Sequence, residues 1–391
     1  MTIVAHSLPP VVLFLAILPF IYYVLAIFSA FRFFHRTLGR TIGPDFTPPV
    51  SNLKPVRGLD PDAYENFASF CRQDYPNYEI VFCVGTADDP VLPVIEKLRS
   101  DFPERRIRVL FGSGRAATND KVAKLARLAS EAEYEHLVIS DSDVRVKPDY
   151  LRRIVSPLAN PNVGAVTCLY VSTGEQNFVE NLQSIGMISD FYPGLLVARQ
   201  LDGVKFALGP TIATTRSRLA EFGGYQTIEN RPADDLLVGR LIAEQGHEIE
   251  LSSYTIETVA DYQSLRDLVH KRLRWLVVMR HMRPWGHLGL LFTQGLSWSV
   301  LAVLLTPSWL VAIAYLGTYL ILRLTLTGIV GIWGLEQAGL SKRLLLVPVW
   351  DAVAFTMWVA SFARKTVRWR GGDYYIRDGM LVPATSASSG D

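Results

Sequence analysis

Two aspartates one residue apart close an apolar run in His136-Leu-Val-Ile-Ser-Asp-Ser-Asp143. The run Leu137-Val-Ile139 reads as a buried strand, and in open α/β sheets ligands gather beyond the carboxyl ends of the strands. Asp141 and Asp143 there would suit a hard divalent cation, Mg²⁺ or Mn²⁺, which is commonly held by one or two carboxylates plus substrate phosphates. The chemistry suggested is a metal–diphosphate site. An Asp-x-Asp is a short signal, however, and a polar strand end with an aspartate capping the next turn remains the alternative. Other acids fall at comparable places: Asp60, Asp88 and Asp89 after earlier strand-like runs, and Asp234-Asp235 at the start of a helix over 236–245. Acids at a helix start also serve simply to stabilise its N-terminal dipole.

The elements that must position these acids alternate. Strands are expected at 50–53, 79–84, 106–111 and 136–140, with helices at 61–72, 91–100 and 119–129 between them, behind a linker containing Pro44, Pro48 and Pro49. That alternation with short turns argues a parallel sheet covered by helices on both faces. No Gly-x-Gly-x-x-Gly occupies the first strand–helix turn and no Walker-type loop occurs, so NAD and ATP sites lack their usual support. A further strand follows at 163–170. A mostly apolar helical stretch over 177–201 contains Phe191, Tyr192 and Pro193, and reads either as core or as an apolar path from bilayer to site. Gly209-Pro-Thr-Ile-Ala213 reads as a turn and strand whose glycine admits a close approach to backbone. Gly223-Gly224-Tyr225 reads as a turn.

Composition adds a membrane to the picture. The chain has 391 residues, 49% of them hydrophobic, and a formal net charge of +2, which speaks against disorder and against a globally basic nucleic-acid binder. Cys71, Cys83 and Cys168 fit no metal spacing and read as buried free thiols. Residues 11–34 are long and apolar enough for a bilayer-crossing helix. Lys and Arg are lacking before Arg32 while Arg32, Arg36 and Arg40 follow, unlike a basic-led signal peptide. The positive-inside bias places the N-terminus outside and the following residues in the cytoplasm. The expected division is an anchor at 10–34, a cytoplasmic catalytic domain at 45–262, a basic amphipathic interfacial helix at 263–285, a transmembrane region at 286–363 and a tail at 364–391. The basic helix carries Arg266, His270, Lys271, Arg272, Arg274 and Arg280, as helices lying in the headgroup plane do.

Three apolar stretches follow, near 288–305, 309–333 and 344–362, the first two separated by Thr306-Pro-Ser308. Four full crossings would put Arg364, Lys365, Arg368 and Arg370 outside, against the positive-inside bias, so one of the last stretches is expected to be interfacial or re-entrant. Arg323 and Asp351 fall inside these stretches and are expected to face each other, since unpaired charge is costly at such depth. Residues after Val382 are rich in Ala, Thr, Ser and Gly and read as disordered.

Leu53-Lys-Pro-Val-Arg-Gly-Leu-Asp60, Ala87-Asp-Asp-Pro90, Asn119-Asp-Lys121, Asp141-Ser-Asp143, Ala233-Asp-Asp235 and Arg272-Leu-Arg-Trp275 come in that order. Together they resemble the membrane-anchored GT-A glycosyltransferases of the ceramide glucosyltransferase and hopanoid-biosynthesis glycosyltransferase family, over roughly residues 10–380. The resemblance implies a GT-A fold: a mixed α/β sheet with helices on both faces, plus N-terminal and C-terminal transmembrane helices. It also implies an inverting transfer of sugar from a UDP-sugar to the hydroxyl of a membrane lipid. A hopanoid-type N-acetylglucosaminyltransferase and a polysaccharide synthase are the alternatives. In this likeness Asp89 accepts from the uracil edge, Asp141 lies near the ribose, and Asp143, with Asp141, holds a divalent cation. Lys121, Lys271, Arg274 and Trp275 join the donor-binding set, and Asp235 is the catalytic base. Two departures stand out: Lys271 replaces the family's Gln or Arg, losing a planar fork, and Ala123-Lys124 stand where relatives often carry asparagine. Such a transfer needs a base on the acceptor hydroxyl and neutralisation of the leaving diphosphate. The partners implied are a UDP-sugar and a bilayer lipid, not nucleic acid. The place implied is the bacterial inner membrane, with the catalytic domain cytoplasmic.

Overall fold

The computed structural model describes residues 2–37, 46–173, 177–259, 262, 264–369 and 372–384. Arg40, Pro44, Gln263, Arg370 and the tail from 385 lie outside the described residues. Contacts divide the chain into two compact units, Thr37–Gly174 with Asp202–Asp261, and Met1–Arg36 with Glu175–Leu201 and Tyr262–Asp391.

An eight-stranded sheet carries the first of these. Its strands are β1 (Val50–Pro55), β2 (Tyr78–Val84), β3 (Arg106–Phe111), β4 (His136–Ser140), β5 (Val144–Arg145), β6 (Val163–Thr173), β7 (Thr211–Thr215) and β8 (Glu248–Val259). Their order is β3-β2-β1-β4-β7-β6-β8-β5. The first four are parallel, as the strand–helix alternation predicts, because each crossover runs through a helix: Ala63–Cys71, Leu92–Asp101 and Asp120–Glu131. β7 then enters antiparallel to both β4 and β6, β8 runs parallel to β6 and β5 antiparallel to β8. The sheet is therefore mixed. β1 and β2 are buried along their whole length, which is what coverage of both faces requires. Phe67 meets Phe82 of β2 edge-on at 5.0 Å, fastening the helix Ala63–Cys71 to the sheet, and Phe70 meets Tyr150 of the helix Tyr150–Val155 at 5.6 Å. Such aromatic pairs add about 0.5–1.5 kcal/mol each beyond burial.

The other unit is helical. Among the described residues three helices are long and apolar enough to cross a membrane: Pro9–Arg36, Trp309–Gly334 and Leu346–Ala363. A fourth span arises if Pro284–Thr293 and Gly295–Leu305, bent by 55°, count as one. The break between them leaves backbone groups that hydrocarbon cannot satisfy. Tyr23 supplies both bonds: its hydroxyl donates to the Thr293 carbonyl at 2.8 Å and accepts from the Gly295 N–H at 3.0 Å. A Cβ on Gly295 would lie 2.6 Å from that oxygen, so the approach requires glycine. Trp309–Gly334 lies along Pro9–Arg36: the Tyr315 hydroxyl donates to the Leu13 carbonyl at 2.9 Å, and Trp333 stacks on Phe31 at 5.3 Å.

Arg323 and Asp351 do face each other. The guanidinium reaches the carboxylate through Nε at 2.8 Å and Nη2 at 2.5 Å, and the Tyr319 hydroxyl donates to the same carboxylate at 2.8 Å. Arg323 also donates to the Ser189 carbonyl, tying the helical stretch of 178–202 to the membrane helices. That stretch is two helices, Phe178–Gly186 and Tyr192–Asp202, joined by a π-helical turn at Met187–Phe191. After the last helix come β9 (Thr366–Trp369), β10 (Gly372–Arg377) and β11 (Met380–Pro383), an antiparallel sheet that the composition of this region does not announce. Its turn is Asp378-Gly379, both at positive φ (52° and 73°), the backbone a two-residue hairpin prefers.

Candidate active site

β1, β2 and β4 run parallel and end on one edge of the sheet. Below that edge Lys54, fully buried, points its ammonium at the end of β4. Nζ donates to Ser140 Oγ at 2.9 Å and to the Asp141 carbonyl at 3.2 Å, and sits 3.4 Å from the centre of the Phe70 ring. Burial pulls this lysine down to about 7, against the opposing pull of Asp141 and Asp143. The turn that presents the two aspartates is thus held from beneath by a cation.

Above it the acids crowd. Burial, with Asp141 and Asp60 close by, pushes the Asp143 carboxyl up to about 7. The Ser142 hydroxyl donates to Asp60. Asp143 is fixed through its own backbone, whose carbonyl accepts from the Val259 N–H at 3.0 Å where β5 pairs with β8. A carboxylate this reluctant to ionise marks a place that gains from added positive charge. Among the described residues no three His, Cys, Asp or Glu side chains converge as a complete metal cage. Two carboxylates with water and phosphate completing the shell is how Mg²⁺ is usually bound, and Asp141 with Asp143 fits that donor set.

Lys121 Nζ lies 2.6 Å from Asp141 and 3.8 Å from Asp234. Burial lowers its affinity for the proton, but the two acids outweigh this and hold it well above the usual lysine range. Its placement comes from a loop clasp: Asn119 N–H donates to the Glu229 carbonyl at 3.0 Å, Asn119 Nδ2 to the Arg231 carbonyl at 3.2 Å, and Thr118 N–H to Asn230 Oδ1 at 3.0 Å. The helix Asp120–Glu131 is thereby set with its first turn against the segment leading to Asp234.

Asp235 stands in the first turn of the helix Asp234–Glu244. The residue before the acid pair, Ala233, has φ 55°, a left-handed conformation costly for a side chain and concentrated at functional sites. Asp235 Oδ2 accepts from the Gly209 N–H at 2.9 Å, and Oδ1 from its neighbour Leu236 N–H at 2.8 Å. Because β7 is antiparallel to β4, with Ser140 opposite Thr211, Gly209 lies at the edge where Asp141 emerges. A Cβ on Gly209 would sit 3.2 Å from the Asp235 carboxylate. Gly239, one turn along, lets the helix abut the backbone of Phe206 and Ala207, 2.3 Å from where its Cβ would be. Burial and then Asp234 raise Asp235 to about 6, the range of a general base working near neutrality.

Tyr225 completes the group. It is buried, its hydroxyl makes no hydrogen bond among the described residues, and Asp234, Lys121, Asp141 and Asp235 all act on it electrostatically. Asp89 is engaged by backbone: its carboxylate accepts from Gly58 N–H at 3.0 Å and Val91 N–H at 3.1 Å, stitching the loop after β1 to the loop after β2.

Lys271, Arg274 and Trp275 belong to the other unit, on the helix Leu265–Met282. Lys271 sits 4.2 Å above the Tyr262 ring, Trp275 meets Phe191 edge-on at 5.9 Å and Arg274 is exposed. Arg272 pairs with Asp190 at 2.5 Å and stacks over Trp275 at 4.8 Å. The structure therefore gathers Asp141, Asp143, Lys121 and Asp235 in the sheet unit. It adds Lys54, Asp60 and Tyr225, to which the sequence reading gave no chemical role. The place of Lys54 at the end of the short strand β1 was its one available signal, and Tyr225 offered none beyond its Gly-Gly turn.

Known proteins bear on this arrangement. The chain is 23% identical over 274 residues to ceramide glucosyltransferase 1 of Caenorhabditis elegans, covering 70% of this chain and 58% of the relative. It is 32% identical over 154 residues to a ceramide glucosyltransferase of Komagataella phaffii, covering 37% and 30%. The chain thus spans about half the length of the curated relatives it matches. Among solved structures, the mannosyltransferase PcManGT from Pyrobaculum calidifontis, in complex with GDP-Man and Mn²⁺, is 20% identical, with a TM-score of 0.53 over 88% of this chain and 98% of that one. That likeness shows a GT-A-type fold. The profile of Glycosyl transferase family 21 matches residues 11–382, the resemblance to ceramide glucosyltransferases holds, and the chain belongs to that family.

Proposed function

We propose that this chain is an inverting glycosyltransferase that moves a sugar from a UDP-sugar to the hydroxyl of a membrane lipid. The observation that carries the reading is Asp235: a carboxylate tethered by two backbone N–H groups, raised to about 6, beside an acid pair at a strand end. Asp235 takes the proton from the acceptor hydroxyl as its oxygen attacks the anomeric carbon. Asp141 and Asp143 would hold a divalent cation, which supplies neutralisation of the leaving diphosphate. Lys121 holds Asp141 in place, and Asp89 orders the loop that would meet the uracil edge. Lys271, Arg274 and Trp275 are assigned to the donor-binding set on the strength of the family resemblance. Their helix, with the apolar spans that precede and follow the catalytic unit in the sequence, supports a lipid acceptor and an integral membrane protein. The catalytic unit is placed on the cytoplasmic side, in a bacterial inner membrane. The test is incubation of the purified full chain with a panel of UDP-sugars and lipid fractions, with product masses measured with and without chelator. Glycolipid formed from a UDP-sugar and abolished by chelator is expected. No product from any UDP-sugar, or full turnover in excess chelator, contradicts the donor or the metal assignment respectively.

A further inference from the structure

The helix Leu346–Ala363 is apolar enough to cross a bilayer, but its neighbour is not. It runs beside the basic helix Leu265–Met282 in the same direction. Arg272 lies over Trp350 at 5.5 Å, and further along Arg280 donates to the Ser361 carbonyl and, at 2.7 Å, to the Arg364 carbonyl. Eight residues on one helix match eleven on the other, about 12 and 16 Å at 1.5 Å per residue. If the last helix crossed, Arg272, Arg274 and Arg280 would be carried through hydrocarbon beside it, where such charges are rare and costly. If the last helix instead enters and leaves on the side of the basic helix, reaching inward only as far as the Asp351–Arg323 pair, the cations near its end reach headgroups and the exposed stripe Leu345, Val349, Thr356, Val359 and Phe362 meets acyl chains.

Chain direction agrees. Pro9–Arg36 and Trp309–Gly334 run the same way, Leu13 beside Tyr315 and Phe31 beside Trp333, so the chain must cross back between them. The bent pair does this, from Trp285 (82% exposed) to Trp309 (70% exposed), tryptophans being the residues that mark the two interfaces. Three crossings therefore return the chain at Gly334 to the side of the basic helix. At the end of the last helix, His287 bonds Ser361 at 3.0 Å and the Trp358 indole donates to the His287 carbonyl at 2.9 Å. Arg283, Arg364, Lys365 and Arg368 are exposed there.

We propose that Leu346–Ala363 does not cross the membrane but begins and ends on the side of the basic helix, and that it holds Arg283, Arg364, Lys365 and Arg368 against anionic lipid headgroups of that leaflet. The arrangement rests on the membrane reading above. It also relieves the charge conflict of a four-crossing chain, since the cations after the last helix stay on the side the positive-inside bias prefers.

The test is labelling by a membrane-impermeant maleimide in sealed vesicles of either orientation, with single cysteines at the hairpin tip (Asp378→Cys), in the sheet unit (Glu104→Cys) and in the turn between spans (Pro307→Cys). The three native cysteines are buried. Positions 378 and 104 should label from one face and 307 from the other. Labelling of 378 together with 307, opposite 104, overturns the proposal while leaving the other spans standing. Labelling of 307 together with 104 overturns the span assignment and the proposal with it. In mixed micelles, Arg364→Gln/Lys365→Gln/Arg368→Gln should lower the preference for a fluorescent phosphatidylglycerol over phosphatidylcholine about tenfold or more. An unchanged preference overturns the headgroup assignment.

Discussion

Asp235 is where a single atom exchange is most informative. Asp235→Asn keeps the shape and removes the proton acceptor, so turnover should fall by about 10²–10⁴-fold, the usual worth of a general base. UDP affinity, measured by calorimetry, should stay nearly unchanged. Near-normal turnover would move the base elsewhere, Asp234 first. The pH profile carries a second expectation. A base raised to about 6 must be ionised to act, so kcat/KM should be level above that pH and fall tenfold per unit below it. The sign for stability is opposite: a carboxyl raised in the fold favours the protonated form, so its cost to the fold appears as pH climbs from the ordinary carboxylate range through 6. Asp235→Asn should therefore raise the Tm at pH 7, not lower it. A lowered Tm would mean that the two backbone bonds to Gly209 and Leu236 outweigh the desolvation.

At the scale of elements, the helix Asp234–Glu244 positions Asp235, the proposed base, through the contact that Gly239 allows with the backbone at Phe206 and Ala207. Gly239→Ala should displace the helix, lower kcat at least as strongly as it lowers stability, and cost about 1–3 kcal/mol as an overpacked contact does. Denaturant unfolding alongside steady-state kinetics separates the two effects. An unaltered kcat would show that the contact does not set the base. This contact is also where reading the sequence stops. The strands β2 to β4 were legible from apolar runs and the helices between them from period, because both signals are local. The acid pair at the end of β4 was legible for the same reason. β8 escaped because its alternation is broken at Ser252-Ser253, where the register against β6 shifts. The π-helical turn at Met187–Phe191 is held by Arg323, Arg272 and Trp275 from distant parts of the chain. No local pattern encodes such a turn, nor the unpartnered Tyr225 hydroxyl, whose neighbours come from three separate segments.

For the whole molecule, the Arg323–Asp351 pair fastens two apolar helices to the 178–202 stretch. Removing one partner leaves an uncompensated buried charge, so Asp351→Ala should destabilise by about 3–5 kcal/mol, whereas Arg323→Leu with Asp351→Leu should recover most of that. Thermal unfolding in detergent checks both, and a double variant no better than the single one would argue against a paired charge. All these parts serve one claim, that a hydroxyl deprotonated by Asp235 displaces UDP in a single step. The most direct measurement is the anomeric configuration of the first glycolipid formed from an α-linked UDP-sugar, read by the coupling constant of its anomeric proton. A β-linked product is expected, and an α-linked product would contradict the single displacement and with it the role assigned to Asp235.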